Sequence, residues 1–287
     1  MPQPVDNPSQ LPLIAVKGAG DLATGVLHRL TRAGFKVMAT ELAQPTVLRR
    51  TVAFAEAVTQ GQISVEGTVA RRAYTRDDVE QAFARGEIPV VVDADGAFIK
   101  AIRPTVLVEA TLSKRNSGIT IDDAPIVIAL GPGYEAGKDA HAVIETNRGH
   151  NLGRVYLQGC AEPNTGVPGM IGGYAAERLL RAPCAGILYG LRQIGDPVEA
   201  GETVAIVREG ENSGPVIATV SGILRGLVRD GLPVHAGMKV GDVDPRATRD
   251  HCFTISDKSR AVAGGVLEAV MYFMQRGQPR LCQMQAT

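Results

Sequence analysis

The sequence predicts an α/β protein, with a doubly wound parallel sheet first, a small two-fold β-sandwich second and a helix at the end. Three observations carry that prediction. Continuous apolar runs alternate with stretches of helical periodicity up to about residue 111, the pattern of chains that build parallel sheets. The stretch 181–207 is echoed by 217–243, and two copies of a small strand–turn–strand unit must pack together to bury their apolar faces. The run AVAGGVLEAVMYFM (261–274) carries a largely apolar face at helical spacing.

Taken in order, LIAVK (13–17) is a buried strand, and Asp21–Ala33 sets Leu22, Val26, Leu27 and Leu30 on one face of a helix that Gly34 ends. FKVMATE (35–41) is the next strand, giving β–turn–α–β in about 30 residues. A helical stretch is expected over roughly 46–58, then a hairpin over GQISVEGTVARRAY. Thr75-Arg-Asp-Asp78 resembles a capping box opening a helix that stops near Gly86. IPVVVDA (88–94) and TVLVEAT (105–111) are continuous apolar segments rich in β-branched residues, as buried parallel strands are. From about residue 112 short strand-like pieces, IVIAL, AHAVIET and RVYLQ, stand between long loops bearing glycine and proline. Loops of that kind tend to carry function. Each repeat copy then runs Ala-x-x-x-Gly-Ile-Leu-x-Gly-Leu, Gly-x-Pro-Val-x-Ala-Gly and a short apolar strand. The expected divisions are a disordered tail at 1–12, a nucleotide-binding domain at 13–111 and a glycine-rich middle region at 112–178 completing the α/β part. The sandwich follows at 179–246, and a helix with its tail at 247–287.

Composition excludes some classes of function. Lys plus Arg and Asp plus Glu balance at 30 each, so no overall field draws the chain to nucleic acid or an anionic membrane. Hydrophobic residues at 45% and charged residues at 21% are ordinary for a globular protein, and no apolar run nears the ~18 residues of a membrane helix. The opening MPQPVDNPSQLP has neither the basic start nor the apolar stretch of a signal peptide. Cys160, Cys184, Cys252 and Cys282 are far apart and form no CxxC pair, which suits reduced thiols and a cytoplasmic location.

GAGDLA (18–23) has the makings of a dinucleotide turn. Gly18 permits the tight turn, Ala19 and Gly20 offer backbone amides to a pyrophosphate, and Ala23, followed by Thr24, is the small position where helix and strand lie close. The amides sit at a helix N-terminus, whose partial positive charge favours an anion. Glu41 stands where a ribose-binding acid is expected. Asp21 is the oddity: good for the first helical turn, it repels a phosphate directly above it. The rival reading is a packing turn without a ligand. Arg49 and Arg50 follow as phosphate-pairing candidates or as a solvated helix face.

The loops over 131–155 gather Lys138, His141, Glu145, Arg148, His150 and Arg154 among glycines. If AHAVIET is a strand, His141, Val143 and Glu145 share one face, and no tight His/Cys spacing marks a metal site. An anion or cofactor clamp is the favoured reading, against polar loops that merely close a sheet edge. Lys114 and Arg115 lie just past a strand end, where open α/β sheets bind ligands. Cys160, flanked by glycine in QGCAEPN, is a candidate thiol for sulfur or selenium.

The segments GAGDLATGVLHRL, RRTVAFAEAV, IALGPGYEAGKDAHAVIETNRGHNLGRV, PNTGVPGMIGGY and CFTISDKSRAVAGGVLEAV resemble the YqeB-type accessory proteins of selenium-dependent molybdenum hydroxylases, from about Leu13 to Met274. The resemblance implies a Rossmann-like N-terminal part and a role in maturing or supplying the molybdenum cofactor of xanthine-dehydrogenase-like enzymes. The repeated region resembles a biotinyl/lipoyl-type barrel. Its connection REGENSGPV (208–216) has no lysine to modify, so it is expected to be a docking or ligand-closing element. The expected ligand is NAD(P) or a molybdopterin-type nucleotide, and the expected protein partner is a hydroxylase apoenzyme, with homo-oligomerisation left open. Two other functions stay open beside maturation. One is an NAD(P)-dependent oxidoreductase using His141, Lys114 or Glu109 as acid or base; the other is a non-catalytic docking chaperone.

Overall fold

A computed structural model describes residues 12–164, 166, 169–170, 172–210 and 212–276; the expected tails fall almost wholly outside them. At the centre of the fold is β1 (Leu13–Lys17), followed by α1 (Asp21–Arg32) and β2 (Lys36–Glu41). After them come α2 (Ala57–Gln60), the hairpin β3 (Gln62–Val65) and β4 (Thr68–Ala73), α3 (Arg76–Ala84), β5 (Ile88–Val92), α4 (Ala97–Ile102) and β6 (Val106–Glu109). The middle region adds β7 (Ile126–Leu130), β8 (Glu135–Ala136), β9 (Ala142–Ile144), β10 (Val155–Tyr156) and β11 (Gly159–Cys160). One nine-stranded sheet takes the order β10-β9-β7-β6-β1-β2-β5-β4-β3. Its inner strands are parallel, while β3 on β4 and β10 on β9 are antiparallel.

The repeated region begins with β12 (Leu179–Arg181), β13 (Gly186–Gly190), β14 (Pro197–Val198) and β15 (Thr203–Glu209). It continues through β16 (Asn212–Ile217), β17 (Gly222–Leu227), β18 (Pro233–Val234) and β19 (Lys239–Asp244). The copies exchange strands: β13 of the first pairs with β18 of the second, and β17 of the second with β14 of the first. Two four-stranded antiparallel sheets result, β12-β19-β17-β14 and β16-β15-β13-β18. Between them lies a core of their own, with Leu188, Val204, Val207, Leu224 and Val240 fully buried. The chain then returns: α5 (Asp257–Gln275) packs against α1 and the β7, β9 and β10 side of the large sheet. Gly25 makes that approach possible, because a Cβ there would overlap Ser259 Oγ. The Ser259 hydroxyl donates to the Asp21 and Leu22 carbonyls, at 3.0 and 3.3 Å.

The structure is α/β, but the expected Rossmann-like parallel sheet followed by a biotinyl/lipoyl-like barrel is corrected. The large sheet is mixed, because the Glu66–Gly67 turn, both residues at positive φ, folds β3 back on β4. At the other edge the chain reverses between β9 and β10, and the middle region contributes strands to this same sheet. The repeat closes into separate antiparallel sheets, extended by β12 and β16 from outside the echoed motifs. The expected helix over 46–58 is also absent. Two 3-10 turns, Arg50–Val52 and Phe54–Glu56, stand there with Ala53 extended between them (φ −126°). Apolar spacing alone cannot tell such a buried, broken run from a helix. The capping box is present: the Thr75 hydroxyl accepts from the Asp78 amide and the Asp78 carboxylate from the Thr75 amide. The closing helix starts earlier than the apolar pattern suggested, at Asp257, because Ser256 caps it.

Candidate functional site: a basic cleft between the sheets

The C-terminal ends of β1, β6, β7 and β9 face the β12-β19-β17 sheet across a cleft of about 630 Å³. The ends of parallel strands are where open α/β sheets bind ligands, since the loops there diverge and leave a crevice. From the large sheet come Asp21 and Leu22 at the start of α1, Arg49, Leu112 and Lys114 past β6, and Asn147 and Arg148 past β9. Opposite them stand Arg178 and Arg181 near β12, Arg225 on β17, and Lys239 and Asp242 on β19; Lys258 enters from α5. Among the described residues, eight basic side chains line the cleft against three carboxylates, Asp21, Glu162 and Asp242.

Two β-bulges aim the far wall. On β17 the register slips between Leu224 and Gly226, so Arg225 is the extra residue opposite Val243–Asp242. On β19 it slips between the partners of Leu180 and Arg181, so Val240 is extra and Lys239 falls on the face that Asp242 shares. A bulge reverses the in–out alternation of a strand, which is how one can re-aim a side chain beside a site. Arg178, Arg225 and Asp242 are buried. Arg178 meets Asp242 at 3.3 Å, and Arg225 meets Asp244 at 3.5 Å. Burial pushes the pKa of Arg225 down, and Arg49 nearby adds to this. Burial likewise lowers Lys239 and Lys258, against the attraction of Asp242 and Asp21 respectively. Burial alone would raise the Asp244 carboxyl, but hydrogen bonds from Arg246 hold it below its ordinary value.

The glycine turn borders this cleft. Gly18 takes φ +98°, and a Cβ on it would lie 3.1 Å from the Ala110 carbonyl. The Ala19 amide donates to Glu41 Oε2 at 2.9 Å, so the acid expected at a ribose holds the turn itself. Ala23 and Thr24 are buried, and Thr24 accepts from the Phe54 amide at 2.8 Å. Gly20 is the N-cap of α1 and meets only Val47 at an ordinary 3.6 Å. Asp21 is answered by Arg49, whose guanidinium lies 3.2 Å from its carboxylate and also donates to the His251 carbonyl.

The other sequence candidates are dispersed. Arg148 lines the cleft and is held by Asp257 through two bonds of 2.6 and 3.0 Å. Glu145 is fully buried and accepts from the Asn147 and Glu162 amides, so it shapes the cleft loops from behind. His141 sits at the opposite end of β9, beside a second cavity that also holds Asp122 and Phe273, and accepts from the Val127 amide. The pair His141 and Glu145 therefore stands at the two ends of one strand. Arg50 donates to the Leu227 carbonyl and lines a third cavity. Lys138 pairs with Glu135 and Arg154 with Asn151, both exposed, and His150 occupies an exposed turn. Glu109 is fully buried and satisfied by Thr111, Ser117 and Lys17. Cys160 is an exposed free thiol on β11.

Arg178, Arg181, Arg225, Lys239, Asp242 and Lys258 are cleft residues that the sequence reading missed. A signal was present in the repeat. Placing Ala182–Leu191 on Ala218–Leu227 sets Arg225 against Tyr189, and the same offset sets Lys239 against Thr203 and Asp242 against Ile206. The second copy has gained charge where the first has none. Tyr189 is 41% exposed and Arg225 only 7%, because the second copy's face turns onto the large sheet.

No family model matches the chain. It is 48% identical over 271 residues to the uncharacterized protein YqeB of Escherichia coli (strain K12), covering 94% of this chain and 49% of that one. Solved structures are similar only loosely. An aspartoacylase family protein of Mesorhizobium loti is 10% identical, with 82% of this chain and 85% of that chain covered and a TM-score of 0.28. A succinylglutamate desuccinylase of a Silicibacter species is 14% identical, with 81% and 84% covered and a TM-score of 0.24. Likenesses this slight say nothing of the cleft. Along nearly its whole length, then, the chain is similar to YqeB, and it spans about half the length of that curated relative.

Proposed function

We propose that the cleft binds a phosphate-bearing nucleotide, NAD(P) or a molybdopterin-type nucleotide, and that the chain serves as an accessory protein in the maturation of molybdenum hydroxylases. The observation that carries the binding is the charge of the cleft, eight basic groups against three acids at the ends of parallel strands. The donor set fits such a ligand: guanidinium forks and ammonium groups match phosphate oxygens, while Leu22, Val47, Leu48, Leu112 and Leu179 supply apolar surface for a flat ring. Asn147 and Glu162, joined by a 2.6 Å hydrogen bond, present amide and carboxylate edges beside that surface. The maturation role rests on the sequence resemblance alone.

Calorimetric titration of the full chain with NAD, NADP and cytidine nucleotides tests the binding. Saturable binding is expected for at least one of them, weakened about tenfold by Lys258→Met, which removes one charge-assisted contact. No binding by the unaltered chain overturns the reading. Capture of a hydroxylase apoenzyme by the immobilised chain tests the maturation role, which fails if none is retained.

A further inference from the structure

The basic wall on β12, β19 and β17 carries more buried positive charge than its own carboxylates balance. Arg178 and Arg225 are each 7% exposed, and the Nε of each, like that of Arg49, has no hydrogen-bond partner among the described residues. Asp244, the carboxylate against Arg225, is already engaged on both oxygens by Arg246, at 2.9 and 2.6 Å. Once Asp244 is assigned to Arg246, the cations Arg49, Arg178, Arg225 and Lys239 share two acids, Asp21 and Asp242. A buried charge left unpaired is strongly unfavourable. Here the surplus is two positive charges in one place, facing open cleft and presented by two bulges that spoil regular strand pairing.

We propose that a tetrahedral group of two negative charges, a phosphate monoester or one end of a pyrophosphate, seats on Arg178, Arg225 and Lys239. The inference rests on the reading of the cleft as an anion site and names the subsite within it: the second sheet rather than the glycine turn. Arg178 and Arg225 bring guanidinium charge to the cleft wall and Lys239 an ammonium group, and the dianion closes the local charge balance. The loss of water around Lys239 and Arg225, which lowers the pKa of each, is offset when the anion arrives.

The test is titration of the full chain with inorganic phosphate, pyrophosphate and a nucleoside diphosphate, with chloride at matched ionic strength as control. Wild type is compared with Arg225→Met and Lys239→Met. Wild type should bind pyrophosphate saturably, and either variant should bind about tenfold or more weakly. Without anion, the variants should melt no lower than wild type, since each removes an unbalanced charge. A lower anion-free melting temperature counts against the proposal, because it marks a structural arginine or lysine. Should a methionine variant fail to fold for that comparison, Arg178→Lys keeps the charge, loses the fork and should show the same weakening. Nucleoside diphosphate binding retained by the variants overturns the subsite and leaves the cleft reading standing. No binding of any probe by wild type overturns both.

Discussion

Glu145 and Glu109 are fully buried carboxylates, and each survives burial by accepting several hydrogen bonds from nearby loops. Groups so placed hold backbone in position; they are poor candidates for proton transfer, and the sequence, which shows residue type but not partners, could not separate the two roles. Glu87 illustrates a different balance. The Arg71 guanidinium donates to it through two bonds, burial opposes, and Arg85 adds a further donor, leaving its carboxyl at about 2. Because this folded value lies below the ordinary carboxylate value of about 4.3, the stability it confers is complete above that value and is lost as pH falls towards 2. Glu87→Gln should therefore cost about 1 kcal/mol at neutral pH, small because its arginines remain solvated. The difference from wild type should shrink between about pH 4.5 and 2; chemical denaturation at several pH values gives the answer, and a gap that is constant with pH excludes this origin.

Among the elements, α1 and α5 depend most on one small residue. Gly25 lets Ser259 enter between the helices, and Ser259 is itself fully buried. Gly25→Ala should destabilise the chain by about 2 kcal/mol through overpacking, and a second change, Ser259→Gly, should recover part of the loss in a double-mutant cycle. Simple additivity of the two changes would show that the helices do not meet there as described. The strands of the large sheet's centre were legible because buried parallel strands are continuous apolar runs, and α3 because its capping box is written in four residues. The stretch 46–58 was not legible, since tertiary contacts such as the Ala55 amide on the Ala19 carbonyl replace helical bonds. The short helix α4 also escaped notice. Its first amides are capped from before the helix by Asp93, which accepts from Phe98 and Ile99 at 3.0 and 3.1 Å. Strand exchange between the repeat copies and the two bulges follow from three-dimensional closure, which no local pattern records.

At the scale of the whole molecule, the chain leaves the large sheet, builds the two antiparallel sheets and returns through α5, so three distant stretches of sequence meet at one cleft. The Arg49 guanidinium ties them directly, bonding Asp21 of α1 and the carbonyl of His251 beyond the repeat. The Leu227 amide of β17 donates to the Leu48 carbonyl in the loop after β2, a second tie between the large sheet's loops and the repeat. Among the described residues no helix is long and apolar enough to cross a membrane. Asp21, Arg49, Lys114 and Arg148, named from the sequence, lie on the first sheet's side of the cleft, while the residues of the wall opposite were not legible there. Residues far apart in sequence become one site only through the packing of the two bodies.

Hydrogen–deuterium exchange of the full chain with and without a nucleoside diphosphate is the measurement that bears most directly on the cleft. Slower exchange is expected together in 146–148, 178–181, 222–244 and at the start of α5, the segments that line it from both bodies. Protection confined to the cavity around His141 and Asp122, or binding that slows none of these segments, would contradict the assignment.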